Sequence, residues 1–159
     1  MSTAVEPFER VVERYGPTVL RVCRALVGPV AADDAWSETF LAAMAAYPRL
    51  RPGSDVRGWL VTIAHRKAVD VLRSQARAAL PVAEPFPASS GEHPGDGRAD
   101  VWAAVAALPD KQRQCVAYHH LAGLPYDEIA ALVGGTPAAA RRAAADGIAA
   151  LRRSWKEES

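Results

Sequence analysis

The chain has 159 residues, with 19 Lys+Arg against 18 Asp+Glu and a formal net charge of +1. Half of it is hydrophobic although aromatics make up only 7 %, which excludes a largely disordered chain and points to a core of small, closely packed surfaces. The length fits one domain or two small ones, and no run approaches the roughly 18 apolar residues of a membrane span. The N-terminus, MSTAVEPFERVVERYG, carries acids where a secretory signal needs a positive and then an apolar run, so a cytoplasmic location without membrane insertion is expected.

In the first 79 residues, breaks at Gly16-Pro17, Gly28-Pro29 and 48–54 predict about four helices. The third opens with Asp33 and Asp34, and Glu38 follows one turn later. Carboxylates there are favoured by the helix dipole, and they equally suit a docking face for a basic partner. Trp36, Phe40, Met44 and Tyr47 follow at helical spacing and predict a buried stripe. In the fourth helix Val56, Leu60, Ile63, Ala64 and Val71 form another apolar stripe. Trp59, Arg66, Arg73 and Arg77 fall together on the opposite side, with Asp70 among them and with His65 and Lys67 adjoining. An indole and arginines along one ridge suit a single nucleic-acid strand, whose bases stack on aromatics while cations follow the phosphates. The plainer reading is a half-buried Trp on a soluble face.

Residues 80–98, LPVAEPFPASSGEHPGDGR, combine four prolines with three glycines. Such a stretch supports neither helix nor strand and predicts a flexible linker between two small domains, 1–79 and 99–159. The second domain reads as helices at about 100–107, 111–121, 126–133 and 137–154. Tyr126 to Val133, then Gly134-Gly135-Thr136, then Pro137 is a helix, a tight turn, a capping residue and a proline at the first helical position. This is a helix-turn-helix pattern, with Thr136, Arg141 and Arg142 at the start of the helix that enters a major groove. Asp146 and Gly147 weaken that helix by charge and by propensity. Strand signals are absent, and the fold class expected is all-α.

Cys23 and Cys115 lie far apart in apolar surroundings and read as buried free thiols. Adjacent His119 and His120 point about 100° apart on a helix and lack a ligand partner at metal-binding spacing. The sequence calls for no metal, no cofactor and no catalytic constellation, and a non-enzymatic protein is expected.

Taken jointly, four motifs carry a family likeness: Asp33-Asp34 with Glu38-Thr39-Phe40; Gly58-Trp59-Leu60 with Ile63-Ala64; Ala68 with Asp70, Leu72 and Arg73; and Leu108-Pro109 with Arg113. In order and spacing they resemble bacterial sigma factors of the extracytoplasmic function (ECF) type, which keep only a promoter-melting domain and a helix-turn-helix domain. The resemblance implies a transcription initiation factor. Asp33, Asp34 and Glu38 would dock on core RNA polymerase (its β′ and β subunits). Arg51, Ser54, Trp59, Arg66, Lys67, Arg73 and Arg77 would meet −10 promoter DNA, the loop 49–55 receiving a flipped base. Thr136, Arg141 and Arg142 would read the −35 element. It also implies an anti-sigma factor as partner and a monomer when free. The alternative is a sigma-like interaction protein that engages an anti-sigma factor or polymerase, binds DNA weakly and does not initiate alone. Residues 1–80 carry a charge of +3, 81–98 carry −2 and 99–159 carry none, so the neutral total conceals a basic first domain.

Overall fold

The computed structural model describes residues 6–78 and 98–157. The expected linker lies outside the described residues except for Arg98, which opens a helix instead of closing a loop. The all-α expectation holds: the described residues form helices and no strand.

Helix α1 (Phe8–Ala46) contains one true break, at Gly28 with φ 86° and ψ 170°, after which Pro29 restarts the helix. The expected break at Gly16-Pro17 is not one. Glycine before a proline has no Cβ to meet the ring, and Val11, Val19, Val22 and Cys23, buried on both sides, hold the segment helical through Pro17. A 3₁₀ turn (Tyr47–Arg49) ends α1, and α2 (Val56–Ala78) follows. The second half is α3 (Arg98–Ala106), α4 (Asp110–Val116) with a π-helical continuation (Ala117–Leu121), α5 (Tyr126–Val133) and α6 (Pro137–Glu157). Between α5 and α6, Gly134 and Gly135 take φ of 87° and 86°, a region where a Cβ is strained. Thr136 then caps α6 through an Ala139 N–H to Oγ1 bond of 3.1 Å.

One core belongs to the first half alone. Val11, Val19, Cys23, Ala32, Ala35, Phe40, Ala43, Leu60 and Ala64 are buried together, with Trp36, Tyr47, Val56, Trp59, Ile63 and Val71 packed against them. Met44 departs from its predicted stripe and is 53 % exposed. At about 100° per residue it stands roughly 80° from Trp36, past the edge of the buried arc, whereas Phe40 and Tyr47 stay within about 40°.

The other core is shared by the two halves. Val22, Ala25 and Leu26 of α1 and Val61 and Ala68 of α2 are buried with Val105, Cys115, Tyr118, Leu124, Ile129, Ala140 and Ala144. The reading of two bundles on a tether thus omits a seam. The alanine-rich second half has few large side chains of its own and completes its core on α1 and α2.

Candidate functional site

The acidic segment begins one turn after the Gly28 kink. Asp33, Asp34 and Glu38 are all exposed on the second part of α1. Beyond them on the same exposed side stand Leu41 and Met44, 59 % and 53 % exposed. The sequence reading missed these two because an apolar residue in a helix reads as core. Together they make a face that is acidic at one end and apolar at the other.

Between α1 and α2 the chain turns at Pro52-Gly53, Gly53 having φ 82°. Ser54 donates from its backbone N–H (3.2 Å) and its hydroxyl (2.6 Å) to the Arg51 carbonyl. Its hydroxyl hydrogen is thus occupied within the turn, while Arg51 is exposed. Asp55 caps α2, its Oδ1 accepting the Gly58 N–H at 3.2 Å.

On α2, Arg66, Arg73 and Arg77 are exposed in a row with Asp70 between them. Trp59 departs from that row. It is half-buried, packs on the first-half core and has its ring centroid 6.3 Å from that of Tyr47. Its remaining surface lines a cleft of about 350 Å³, shared with Asp55, Gly58, Thr62, Leu124, Glu128, Ala131 and Leu132. Lys67 departs as well: it is half-buried, with Nζ 3.9 Å from Glu38 Oε2. It therefore joins the acidic face instead of extending the basic row.

The opposite edge of α2 meets the second half. His65 Nδ1 is hydrogen-bonded to the hydroxyl of Tyr118, which is fully buried. Burial, reinforced by the neighbouring Arg66 charge, lowers the His65 pKa below its ordinary value of 6.5. Burial also raises the Tyr118 pKa, so its hydroxyl stays protonated. Sequence spacing could not pair residues 53 positions apart.

In the helix-turn-helix, Thr136, Arg141 and Arg142 are exposed at the start of α6. Arg141 is committed within the motif: its guanidinium carbon lies 5.2 Å from the Tyr126 ring centroid. His119 stacks on Tyr126 at 4.1 Å and donates from Nδ1 to the Leu124 carbonyl at 3.0 Å. His119 thus orders the turn, and among the described residues no group of three or more His, Cys, Asp or Glu could hold a metal ion. Lys111 of α4 reaches the same surface, since a Cβ on Gly135 would stand 3.3 Å from its Nζ. The sequence reading missed Lys111 because it comes from a different helix. Gly147 has a packing reason: a Cβ there would stand 2.6 Å from Val116 Cγ2, so α4 and α6 cross closely at this point. Cys23 and Cys115 are free and buried, and burial pushes the Cys23 thiol up to about 12.

Comparison with known proteins follows the same two halves. Residues 11–78 match the family Sigma-70 region 2, and residues 98–151 match Sigma-70, region 4. The chain is 34 % identical over 145 residues to the ECF RNA polymerase sigma factor SigD of Mycobacterium tuberculosis, covering 82 % of this chain and 68 % of that protein. It is 30 % identical over 155 residues to the RNA polymerase sigma factor CarQ of Myxococcus xanthus, covering 94 % and 89 %. The chain belongs to the ECF sigma factor family. Two solved structures share the fold of this sigma factor. The sigma factor RpoE of Bartonella quintana, in complex with the anti-sigma factor NepR, has a TM-score of 0.78 at 19 % identity, covering 96 % of this chain and 98 % of that one. CnrH, in complex with the cytosolic domain of CnrY, has a TM-score of 0.68 at 23 % identity, covering 96 % and 89 %. As a sigma factor the protein serves RNA polymerase in transcription initiation. No helix among the described residues is long and apolar enough to cross a membrane.

Proposed function

We propose that this sigma factor docks on core RNA polymerase through the second part of α1. Asp33, Asp34 and Glu38 meet the β′ subunit, and Leu41 and Met44 supply the apolar part of the contact. Arg51, Ser54, Trp59, Arg66, Arg73 and Arg77 then hold the melted −10 strand, with Lys67 at the border between DNA and polymerase. Thr136, Arg141, Arg142 and Lys111 engage the −35 element. The working domains are 1–79 and 99–159, with 80–98 as the span between them. The factor acts in the cytoplasm, is a monomer when free, has no enzymatic activity of its own and is held by an anti-sigma factor, as the RpoE of Bartonella quintana is.

One observation carries this reading: an exposed acidic and apolar face on α1 adjoins the exposed arginines of α2 across the Glu38–Lys67 pair. A protein partner and a nucleic-acid strand can therefore bind side by side. The test is reconstitution with core polymerase and transcription in vitro from genomic fragments. Promoter-dependent transcripts are expected, and their absence overturns the reading. A second reading has an observation in its favour: Arg141 lies over Tyr126 and Asp146 is exposed one turn further on, so the first turns of α6 offer duplex DNA only two arginines, one of them engaged with a ring, beside an opposing charge. A stable polymerase complex that binds no −35 duplex would establish the sigma-like interaction protein instead.

A further inference from the structure

We propose that Tyr126, with His119 stacked on it, is a positioning residue for base reading: it holds the Arg141 guanidinium in one orientation, toward a single guanine of the duplex, while Arg142 contacts phosphate. The inference rests on the −35 reading above and names what sets its specificity. Three observations carry it.

The first is a column of side chains drawn from three elements. The His119 ring stacks on Tyr126 at 4.1 Å, with 17° between the ring planes, and the Arg141 guanidinium carbon lies 5.2 Å from the centroid of the same Tyr126 ring. His119 belongs to the π-helical turn, Tyr126 opens α5 and Arg141 lies in the second turn of α6. A single π turn within a helix is rare and often marks a functional site. Here it carries the residue that braces Tyr126.

The second is that this platform is fixed without help from Arg141. His119 Nδ1 donates to the Leu124 carbonyl at 3.0 Å. The Leu124 N–H donates to the Tyr118 carbonyl at 2.9 Å, and the Gly123 N–H to the His119 carbonyl at 3.1 Å. Pro125, with φ −70°, closes the turn directly before Tyr126, whose ring packs against the shared core. A long arginine side chain gives up much rotamer freedom when it is ordered at a base, and one already held over a rigid ring gives up less.

The third is what the contact leaves available. A ring face attracts the guanidinium without taking any of its N–H groups in a conventional hydrogen bond. Among the described residues Arg141 makes no hydrogen bond and no ion pair. Its five N–H donors stay open for the O6 and N7 acceptors of a guanine, the bidentate pairing that arginine makes in a major groove. The helix neighbours three residues before and four after, Ala138 and Ala145, are exposed and carry no hydrogen-bonding side chain. Arg142 projects about 100° away around the helix, so the two arginines cannot share one base edge. Discrimination on this surface therefore depends on how Arg141 is aimed. The ring contact that lowers the charge free for phosphate is the one that aims the guanidinium.

The test uses the full-length protein with core polymerase on a promoter recovered by the transcription experiment above. The −35 element of that promoter is randomised, and the fragments that the polymerase complex retains are sequenced. Wild type should select a guanine that Arg141→Ala no longer selects. Tyr126→Leu, which keeps every charge, should lose selection at that same base pair by about tenfold, with the other positions and the salt slope unchanged. Tyr126→Phe keeps the ring and should select as wild type does. Tyr126→Leu combined with Arg141→Ala should select no less than Arg141→Ala alone. A Tyr126→Leu variant that still selects the guanine overturns the proposal, as does a uniform loss at every position, which marks Tyr126 as structural only. Arg141→Ala with wild-type selection overturns it too. A wild-type complex that transcribes without any preference in the −35 element overturns the −35 reading itself, and the proposal falls with it. Circular dichroism checks that Tyr126→Leu folds. Should it not, nuclear magnetic relaxation at the arginine Nε atoms of the free wild-type chain decides the matter: Arg141 should be ordered and Arg142 mobile, and equal mobility overturns the proposal.

Discussion

Lys67 Nζ lies 3.9 Å from Glu38 Oε2, joining the segment proposed to dock on polymerase to the helix proposed to hold the DNA strand. The pair is too exposed to matter much for stability, since solvent screens such contacts. Its importance is positional. In the proposed arrangement Lys67 thus stands within reach of both the docking face and the DNA strand.

Reversing the acidic face tests that link. Asp34→Arg with Glu38→Arg should abolish binding to core polymerase while leaving the melting temperature nearly unchanged, because both side chains are exposed. Pull-down with core polymerase beside a thermal melt checks it. Normal binding by the folded variant would remove the docking assignment.

Trp59 carries both burial and a proposed stacking role, and two substitutions separate them. Trp59→Ala should lower stability by about 2 kcal/mol, from a half-buried ring lost from the first-half core, and should slow open-complex formation. Trp59→Phe keeps most of the packing and an aromatic face, so it should retain most of both. A Phe variant as slow as the Ala variant would show that indole stacking, and not packing, sets the rate.

On the −35 side, Arg142 and Arg141 should differ. Arg142 makes no ion pair among the described residues, so Arg142→Ala should weaken duplex binding across sequences and reduce the salt slope by about one. Arg141 also rests on Tyr126, so Arg141→Ala should in addition lower the melting temperature. Binding titrations over a range of salt, with melts of both variants, distinguish them.

Gly147→Ala is expected to destabilise the fold by about 1–3 kcal/mol even though alanine is the better helix former. Its Cβ would stand 2.6 Å from Val116 Cγ2, which forces α4 and α6 apart. Urea unfolding measures this, and a stabilised variant would contradict the close crossing.

Stability should also depend on pH through His65. Its pKa is lowered in the fold, so the folded state binds fewer protons than the unfolded one. The stabilisation is then complete above the ordinary value of 6.5 and is lost as pH falls from there through the lowered value. Glu128 has the opposite sign: its raised pKa favours the fold below the ordinary 4.5, an advantage lost as pH rises through the raised value. Urea midpoints between about pH 7.5 and 5.5 should fall on acidification, and His65→Gln should flatten the profile in that window.

Much of the architecture was legible because it depends on neighbours in sequence. The α5 limits, the two-glycine turn and the Thr136 cap follow from chemistry within a few residues. So does the Gly28 kink, where a glycine and a proline act together. The joint motifs were enough to indicate the family. What could not be read depends on contacts made at a distance. Gly147 looked like a weak helix residue until Val116 was seen beside it. Trp59 was open to two readings, a stacking face or a half-buried ring, until Tyr47 and the core were seen to close over part of it. The seam escaped because Val22, Leu26, Val61 and Ala68 read as ordinary core positions of their own bundle, and periodicity does not say which neighbour a buried face will meet.

The kink at Gly28 has a mechanical consequence. Val22, Ala25 and Leu26, which hold the seam, precede it, whereas Asp33, Asp34, Glu38, Leu41 and Met44 follow it. An unbroken rod of 39 residues would carry torque from one end to the other. The glycine at φ 86° bends the helix instead, and Ala32, Ala35, Phe40 and Ala43 beyond the bend share a core with Val11, Val19 and Cys23 before it, so a pull on the acidic face is felt by the segment that holds the seam. A partner that grips the acidic face therefore takes hold of both sides of the bend.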